Sequence, residues 1–244
     1  MSTEQTTEQA TGQSRLFPGE TAEYRRARSD LLAAEIALRR QEEAVAERRR
    51  ALPPGGPVPQ DYAFTEWDPA ASGPRPVRLS ELFAPGKDTL FLYSFMFHPD
   101  SAGGPLRVAC PMCTSMLDGL DGELPHITQR ISFAAAAKAP VEVFGMHAHT
   151  RGWRNARLVS TAGTSYNRDY HAEDANGGQR PMATVFTRAD GTIRHFWSSE
   201  LFLSPMDSGQ GPRHIDFMWP MWAVLDRVPE GRGADFNPQL RYPH

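Results

Sequence analysis

Apolar residues recur from Glu20 to about Leu52 at Tyr24, Ala27, Leu31, Ala34, Leu38 and Val45, in steps of three and four amid Arg and Glu. That rhythm predicts an amphipathic helix over residues 20–52, stopped by Pro53-Pro54-Gly55-Gly56. The stripe is thin and alanine-rich, so the helix is expected to pack on a neighbouring subunit or on its own domain. Residues 1–19 are polar and rich in Gln and Thr, the composition of a disordered tail. Further along, Tyr62 to Arg78 reads as a loop or short hairpin, and Leu79 to Phe83 as a short helical step. Thr89 to Phe97 is almost continuously apolar, which predicts a strand buried on both faces. His98 to Ala109 is expected to be a loop. Met116, Leu117, Leu120, Leu124 and Ile127 keep a helical rhythm, broken near Gly122 and Pro125.

Phe133 to Ala139 is expected to continue in helix, with Val141 to Met146 as the next strand. Arg151 to Gly178 is polar and irregular, anchored by Trp153, Tyr166 and Tyr170. After Pro181, Ala183–Thr187 and Thr192–Trp197 flank an Asp-Gly turn and predict a hairpin. Ile215 to Leu225 suits a closing helix. The resulting order is a βαβ half followed by a ββα half. The right-handed crossover rule sets Thr89–Phe97 and Val141–Met146 parallel in one sheet. Their C-terminal ends, with the N-terminus of the intervening helix, would gather Cys110, Cys113, His98, His147 and the segment before Pro181.

Composition narrows the function. A 244-residue chain with 40% hydrophobic content can bury a sizeable core. A net charge of -3 argues against a general nucleic-acid or acidic-membrane binder. No apolar run approaches the roughly 20 residues that span a bilayer, and the polar N-terminus lacks the order of a signal peptide. A cytoplasmic protein is the expectation, with thiols kept mostly reduced between turnovers.

The chain has only 2 cysteines, and they stand together as Cys110-Pro111-Met112-Cys113 at the start of a helix-like run. With no third thiol available, the pair acts as a dithiol/disulfide, shares a metal with other ligands, or is inert. Beside a βαβ pattern this spacing reads as a thioredoxin-like redox motif. A cysteine at a helix N-terminus is the more acidic one. Cys110 is therefore the expected nucleophile and Cys113 the resolving thiol. Neither an organic cofactor nor a metal is required for that cycle. Its partners would be a thiol or disulfide substrate and an electron donor. The competing reading is a copper- or zinc-binding accessory protein using Cys110, Cys113 and His147 or His149. A third is an interaction module in which the long helix drives assembly. The helix spans on the order of 45 Å, and Tyr24, Leu31, Leu38 and Val45 repeat at heptad spacing, so a homo-oligomer is expected.

Several stretches together resemble the thioredoxin-like family known as domain of unknown function 899. They are Tyr24-Arg25-Arg26-Ala27-Arg28 through Arg49-Arg50-Ala51-Leu52-Pro53, Leu79-Ser80-Glu81-Leu82-Phe83, Tyr93-Ser94-Phe95-Met96-Phe97 and the cysteine motif with Asp118-Gly119-Leu120-Asp121-Gly122. Tyr166-Asn167-Arg168-Asp169-Tyr170 and Trp219-Pro220-Met221-Trp222 complete the likeness. The resemblance implies an α/β, thioredoxin-like fold over residues 53–244, a central mixed sheet with flanking helices, preceded by the long helix. One departure is noted. His147-Ala148-His149-Thr150 stands where a Ser-Arg-Ala-Pro-like stretch is expected after the second strand. In such folds a cis-proline precedes the hairpin and helps receive substrate; Pro181 holds that place, with Met182 beside it. Peroxiredoxins place proline seven residues, and threonine or serine three residues, before the reactive cysteine. Here those positions are Gly103 and Arg107, which disfavours peroxide reduction and leaves Arg107 to stabilise a thiolate or an anionic substrate.

Overall fold

The computed structural model describes residues 16–70, 73–208 and 211–243. The chain divides into two compact units, residues 1–53 and 54–244. The first carries α1, Ala22–Arg50. Thr21 caps it by accepting a hydrogen bond from the Tyr24 N–H at 3.1 Å. Glu23 in the first turn and Arg48, Arg49 and Arg50 in the last complement the helix dipole. No residue of α1 is buried, and Tyr24, Leu31 and Leu38 are exposed. Most of the tail expected over residues 1–19 lies outside the described residues.

The second unit opens with a hairpin, β1 (Ala63–Asp68) and β2 (Gly73–Arg78), and a 3-10 turn at Leu79–Leu82. β3 (Thr89–Phe95) follows, then a small hairpin of β4 (Phe97–Pro99) and β5 (Leu106–Ala109). The chain continues through α2 (Pro111–Leu120), α3 (Leu124–Ile127), β6 (Ser132–Ala137), α4 (Val141–Arg151), β7 (Leu158–Ser160) and α5 (Tyr166–Asp169). It closes with β8 (Ala183–Ala189), β9 (Thr192–Ser198) and α6 (Pro220–Leu225). Among the described residues, seven strands form one mixed sheet in the order β2-β1-β7-β6-β3-β8-β9. β3 pairs parallel with β6, Leu90 opposite Ser132, and antiparallel with β8, Tyr93 opposite Ala183. A central strand followed by a helix and a parallel strand, then an antiparallel hairpin on the other side, is the thioredoxin-like arrangement.

The sheet is buried on both faces, and alternate residues feed two cores. Tyr93, Phe95, Phe133, Ala135 and Ala137 face one core, with Met116, Leu117, Phe144 and Trp222. Leu90, Leu92, Ala134, Ala136 and Phe186 face the other, with Tyr62, Leu79 and Tyr166.

Three sequence expectations need correction. Helix and strand are exchanged after α2: Ser132–Ala137 is the strand, and Val141–Arg151 is a helix. Alanine favours helix intrinsically, but all six residues of β6 are buried between β3 and β7, and that context decides. α4 starts after Pro140, carries Glu142 in its first turn and Arg151 in its last, and ends at Gly152 in the left-handed region, φ 79°. Within α4, Gly145 is required because a Cβ there would lie 2.3 Å from the Trp67 ring. Second, the irregular segment after Arg151 contains β7, and the loop after His98 is the β4–β5 hairpin. Third, the stretch that follows the second strand is Lys138-Ala139-Pro140, close to the expected Ser-Arg-Ala-Pro, so His147-Ala148-His149-Thr150 is no departure there.

Asp118 and Asp121 fix the far end of α2. The buried Asp121 carboxylate accepts the N–H groups of Arg154, Asn155 and Ala156 at 2.9, 3.0 and 2.9 Å. Asp118 pairs with Arg151 and accepts from Trp153 Nε1 at 2.8 Å. The helix carrying the cysteines is thereby tied to α4 and to the loop entering β7.

Candidate active site

Cys110 is the N-cap of α2, with extended backbone angles, φ -64° and ψ 122°, and Pro111 opens the helix. Its N–H donates to the Met96 carbonyl at 3.1 Å, which ties the motif to the end of β3. Both cysteines are unpaired thiols and both are buried, Cys110 at 5% and Cys113 at 2% exposure. Their environments differ sharply. The Cys113 thiol above all holds Cys110 down to about 5, assisted by the N–H groups of Cys113 and Met112 and by the His98 ring. Burial opposes this and is outweighed. Cys113 is pushed well up, by burial first and then by the neighbouring Cys110 sulfur. The Tyr93 hydroxyl, which donates to Cys113 Sγ at 3.2 Å, pulls the other way.

A cavity of about 810 Å³ adjoins the motif. Met96, Met112, Cys113, Pro181, Trp219 and Trp222 contribute to its wall; Cys110 does not. His214 also lines it, and its Nε2 bonds the Pro181 carbonyl at 2.7 Å. Because a carbonyl only accepts, Nε2 carries the proton and Nδ1 presents a lone pair. Burial lowers the pKa of His214, against smaller opposing effects of the Pro181 carbonyl and Asp216, which favours the neutral ring. Four charged side chains surround the same cavity and neutralise one another. Arg213 bonds Asp216 and Asp226 at 3.0 and 2.8 Å, and Arg232 bonds them at 2.7 and 2.6 Å.

The other expected residues are dispersed. Pro181 lies at the cavity, and its peptide bond is trans, as are all those among the described residues. Met182 is fully buried, its carbonyl accepting the Ser94 N–H at 2.7 Å. Arg107 is exposed on β5, outside the cavity lining. His98 is exposed beside Cys110. His147 sits on α4 rather than at a strand end, and its Nε2 lies 3.0 Å from Thr114 Oγ1. Since that hydroxyl already donates to the Cys110 carbonyl at 2.9 Å, His147 is the donor, and it braces the first turn of α2. His149 is exposed on the same helix. Among the described residues no three His, Cys, Asp or Glu side chains converge as a metal site would need. Sequence reasoning missed Tyr93 and His214. A tyrosine inside an otherwise apolar buried strand was the available signal for the first, since a buried hydroxyl needs a partner.

Residues 15–244 match the family described as "Bacterial protein of unknown function (DUF899)", and the chain belongs to that family. No curated protein sequence matches it. Among solved structures it is similar to a reduced Plasmodium vivax 2-Cys peroxiredoxin, with 16% identity, TM-score 0.42, and coverage of 57% of this chain and 80% of that one. It is also similar to Plasmodium yoelii thioredoxin peroxidase I, with 14% identity, TM-score 0.43, and coverage of 79% and 100%. A third is the peroxidoxin BcpB from Mycobacterium tuberculosis, with 16% identity, TM-score 0.41, and coverage of 70% and 97%.

Proposed function

We propose that the protein is a thiol–disulfide oxidoreductase that cycles Cys110 and Cys113 between dithiol and disulfide. The asymmetry of the pair carries this reading: one sulfur sits at the helix start, in surroundings that favour the thiolate, and the other is buried one turn further in, where burial disfavours it. In the forward reaction the Cys110 thiolate attacks one sulfur of a substrate disulfide and expels the other as a thiolate. Cys113 then loses its proton and attacks the Cys110 sulfur, releasing the second half of the substrate. Two electrons pass from the dithiol to the substrate, and a Cys110–Cys113 disulfide remains. Arg107, on the hairpin leading into Cys110, offers an exposed cation to an anionic substrate. Pro181 and Met182 position the chain that borders the motif. The cycle needs no cofactor, and a reducing compartment such as the cytoplasm suits it.

The test is the reduction potential together with small-disulfide reductase activity, for the native chain and for Cys110→Ser. The substitution should abolish activity. Thiols that never pair in an oxidising buffer would remove the reading.

A further inference from the structure

The oxidised form has to be reduced again, and the cavity bears on how. Resting on the redox reading above, we propose that this cavity admits a small organic thiol, which reduces the Cys110–Cys113 disulfide by attacking Cys113 while His214 Nδ1 takes its proton. Three observations meet here. The cavity wall includes Cys113 and omits Cys110, so a molecule inside it lies against the inner cysteine. His214 shares that wall, and its Nδ1 is buried without a hydrogen-bond partner among the described residues. Such a lone pair is costly unless a ligand satisfies it. The Phe202 ring, 4.7 Å from the imidazole, and the Pro181 carbonyl hold the ring in place.

The direction of attack is also the favourable one. Thiol–disulfide exchange runs faster when the departing thiol is the more acidic. Attack on Cys113 expels Cys110, whose surroundings stabilise a thiolate. In the first step the thiol R–SH gives its proton to Nδ1, and the R–S⁻ sulfur bonds to Cys113. The Cys110–Cys113 bond breaks, and its electron pair leaves on Cys110. A second R–SH, deprotonated likewise, attacks the R-bearing sulfur of the mixed disulfide. R–S–S–R departs, and Cys113 leaves as a thiolate that takes up one proton; the other goes to solvent. Two thiols are oxidised and one protein disulfide is reduced.

The cavity also limits the reductant. Its 810 Å³ lies in the range of small-ligand pockets. Met96, Met112, Trp219 and Trp222 favour an apolar body. Two arginines paired with two aspartates leave no net charge to select an anion. The reductant is therefore a small thiol without net charge.

The experiment mixes the oxidised full-length protein with β-mercaptoethanol, quenches it rapidly with a maleimide and maps both cysteines by mass spectrometry. The expected product carries the mercaptoethanol adduct on Cys113 and maleimide on Cys110. An adduct on Cys110 overturns the proposal while leaving the redox cycle intact. Failure to form any Cys110–Cys113 disulfide overturns both. A second measurement compares β-mercaptoethanol with thiophenol, which ionises readily without a base. Removing a general base costs the un-ionised thiol on the order of 100-fold. His214→Gln should thus slow β-mercaptoethanol about 100-fold more than thiophenol. Equal slowing of the two would reduce His214 to a structural role and overturn its part in the proposal.

Discussion

Tyr93→Phe tests the resolving half of the proposed cycle. The substitution removes one oxygen from a fully buried ring and with it the hydrogen bond to Cys113 Sγ at 3.2 Å. Once Cys110 is bound in a mixed disulfide, its negative charge is gone and no longer holds Cys113 up. Burial then remains as the main obstacle to the Cys113 thiolate, and the Tyr93 hydroxyl is the leading group that opposes it. A hydrogen bond to a charged group is worth about 1.5–3 kcal/mol, which corresponds to about 1–2 pKa units. The thiolate fraction of Cys113 should fall about 10- to 100-fold. A more basic thiolate is intrinsically more nucleophilic, with a Brønsted slope of about 0.4–0.5, so roughly half of the loss on a logarithmic scale is recovered. Resolution should slow by about 3- to 15-fold. The assay loads Cys110 with a coloured aryl disulfide and follows release of the aryl thiolate by rapid mixing. Formation of the first mixed disulfide, which depends on Cys110, serves as the internal control. An unchanged release rate would show that Tyr93 packs against Cys113 without tuning it.

Cys110 should be alkylated by iodoacetamide at a rate that is flat above neutrality and falls as pH drops through about 5, because its depressed pKa keeps the thiolate present above that value. In denaturant the midpoint should return to about 8.5, and a native midpoint equal to that would refute the assigned environment. Glu66 is buried and bonded to Arg157 at 2.5 and 3.0 Å and to Arg75 at 2.6 Å. Breaking this group with Glu66→Gln should cost about 3 kcal/mol, the low end for a buried pair because both arginines reach solvent. Urea unfolding measures this, and a loss below about 1 kcal/mol would contradict it. The exposed heptad stripe of α1 should drive self-association, so light scattering at micromolar concentration should give a homo-oligomer for the full chain and a smaller species for the chain begun at Pro54. Two monomers would make the stripe irrelevant to assembly.

Legibility along the chain follows how local each determinant is. β3 and the β8–β9 hairpin announce themselves through aromatic and β-branched residues, and α1 through a stripe sustained over many turns. β6 cannot do so, because Ser132-Phe133-Ala134-Ala135-Ala136-Ala137 has the local preference of a helix. Its strand state comes from neighbours on both sides, β3 and β7. α4 is the converse case: Val141-Glu142-Val143-Phe144 alternates like a strand over four residues. Only the longer frame from Pro140 to Gly152 exposes it as helix. β7 spans just Leu158–Ser160, too short for any period to register.

The same distinction governs the site. The cysteine spacing and its place at a helix start lie within one turn of chain, so which sulfur sits at the helix N-terminus, and the direction of polarity between the two, follow from sequence alone. What separates the two sulfurs further is distant. Tyr93 is 20 residues from Cys113 and meets it because β3 is central and its aromatic face lies under α2. His214 is 33 residues from Pro181 and sits in a segment with no regular period, so its Nδ1 becomes a site feature only when the chain closes over the cavity. His147 shows the opposite effect. Its proximity to the motif was foreseen from a misplaced strand, yet the helical register of α4 turns it toward Thr114 and leaves His149 in solvent. Two histidines two positions apart on a helix point apart by roughly 200°. They cannot converge on one metal with the cysteines, which is why a ligand set plausible on a strand dissolves once that segment is wound.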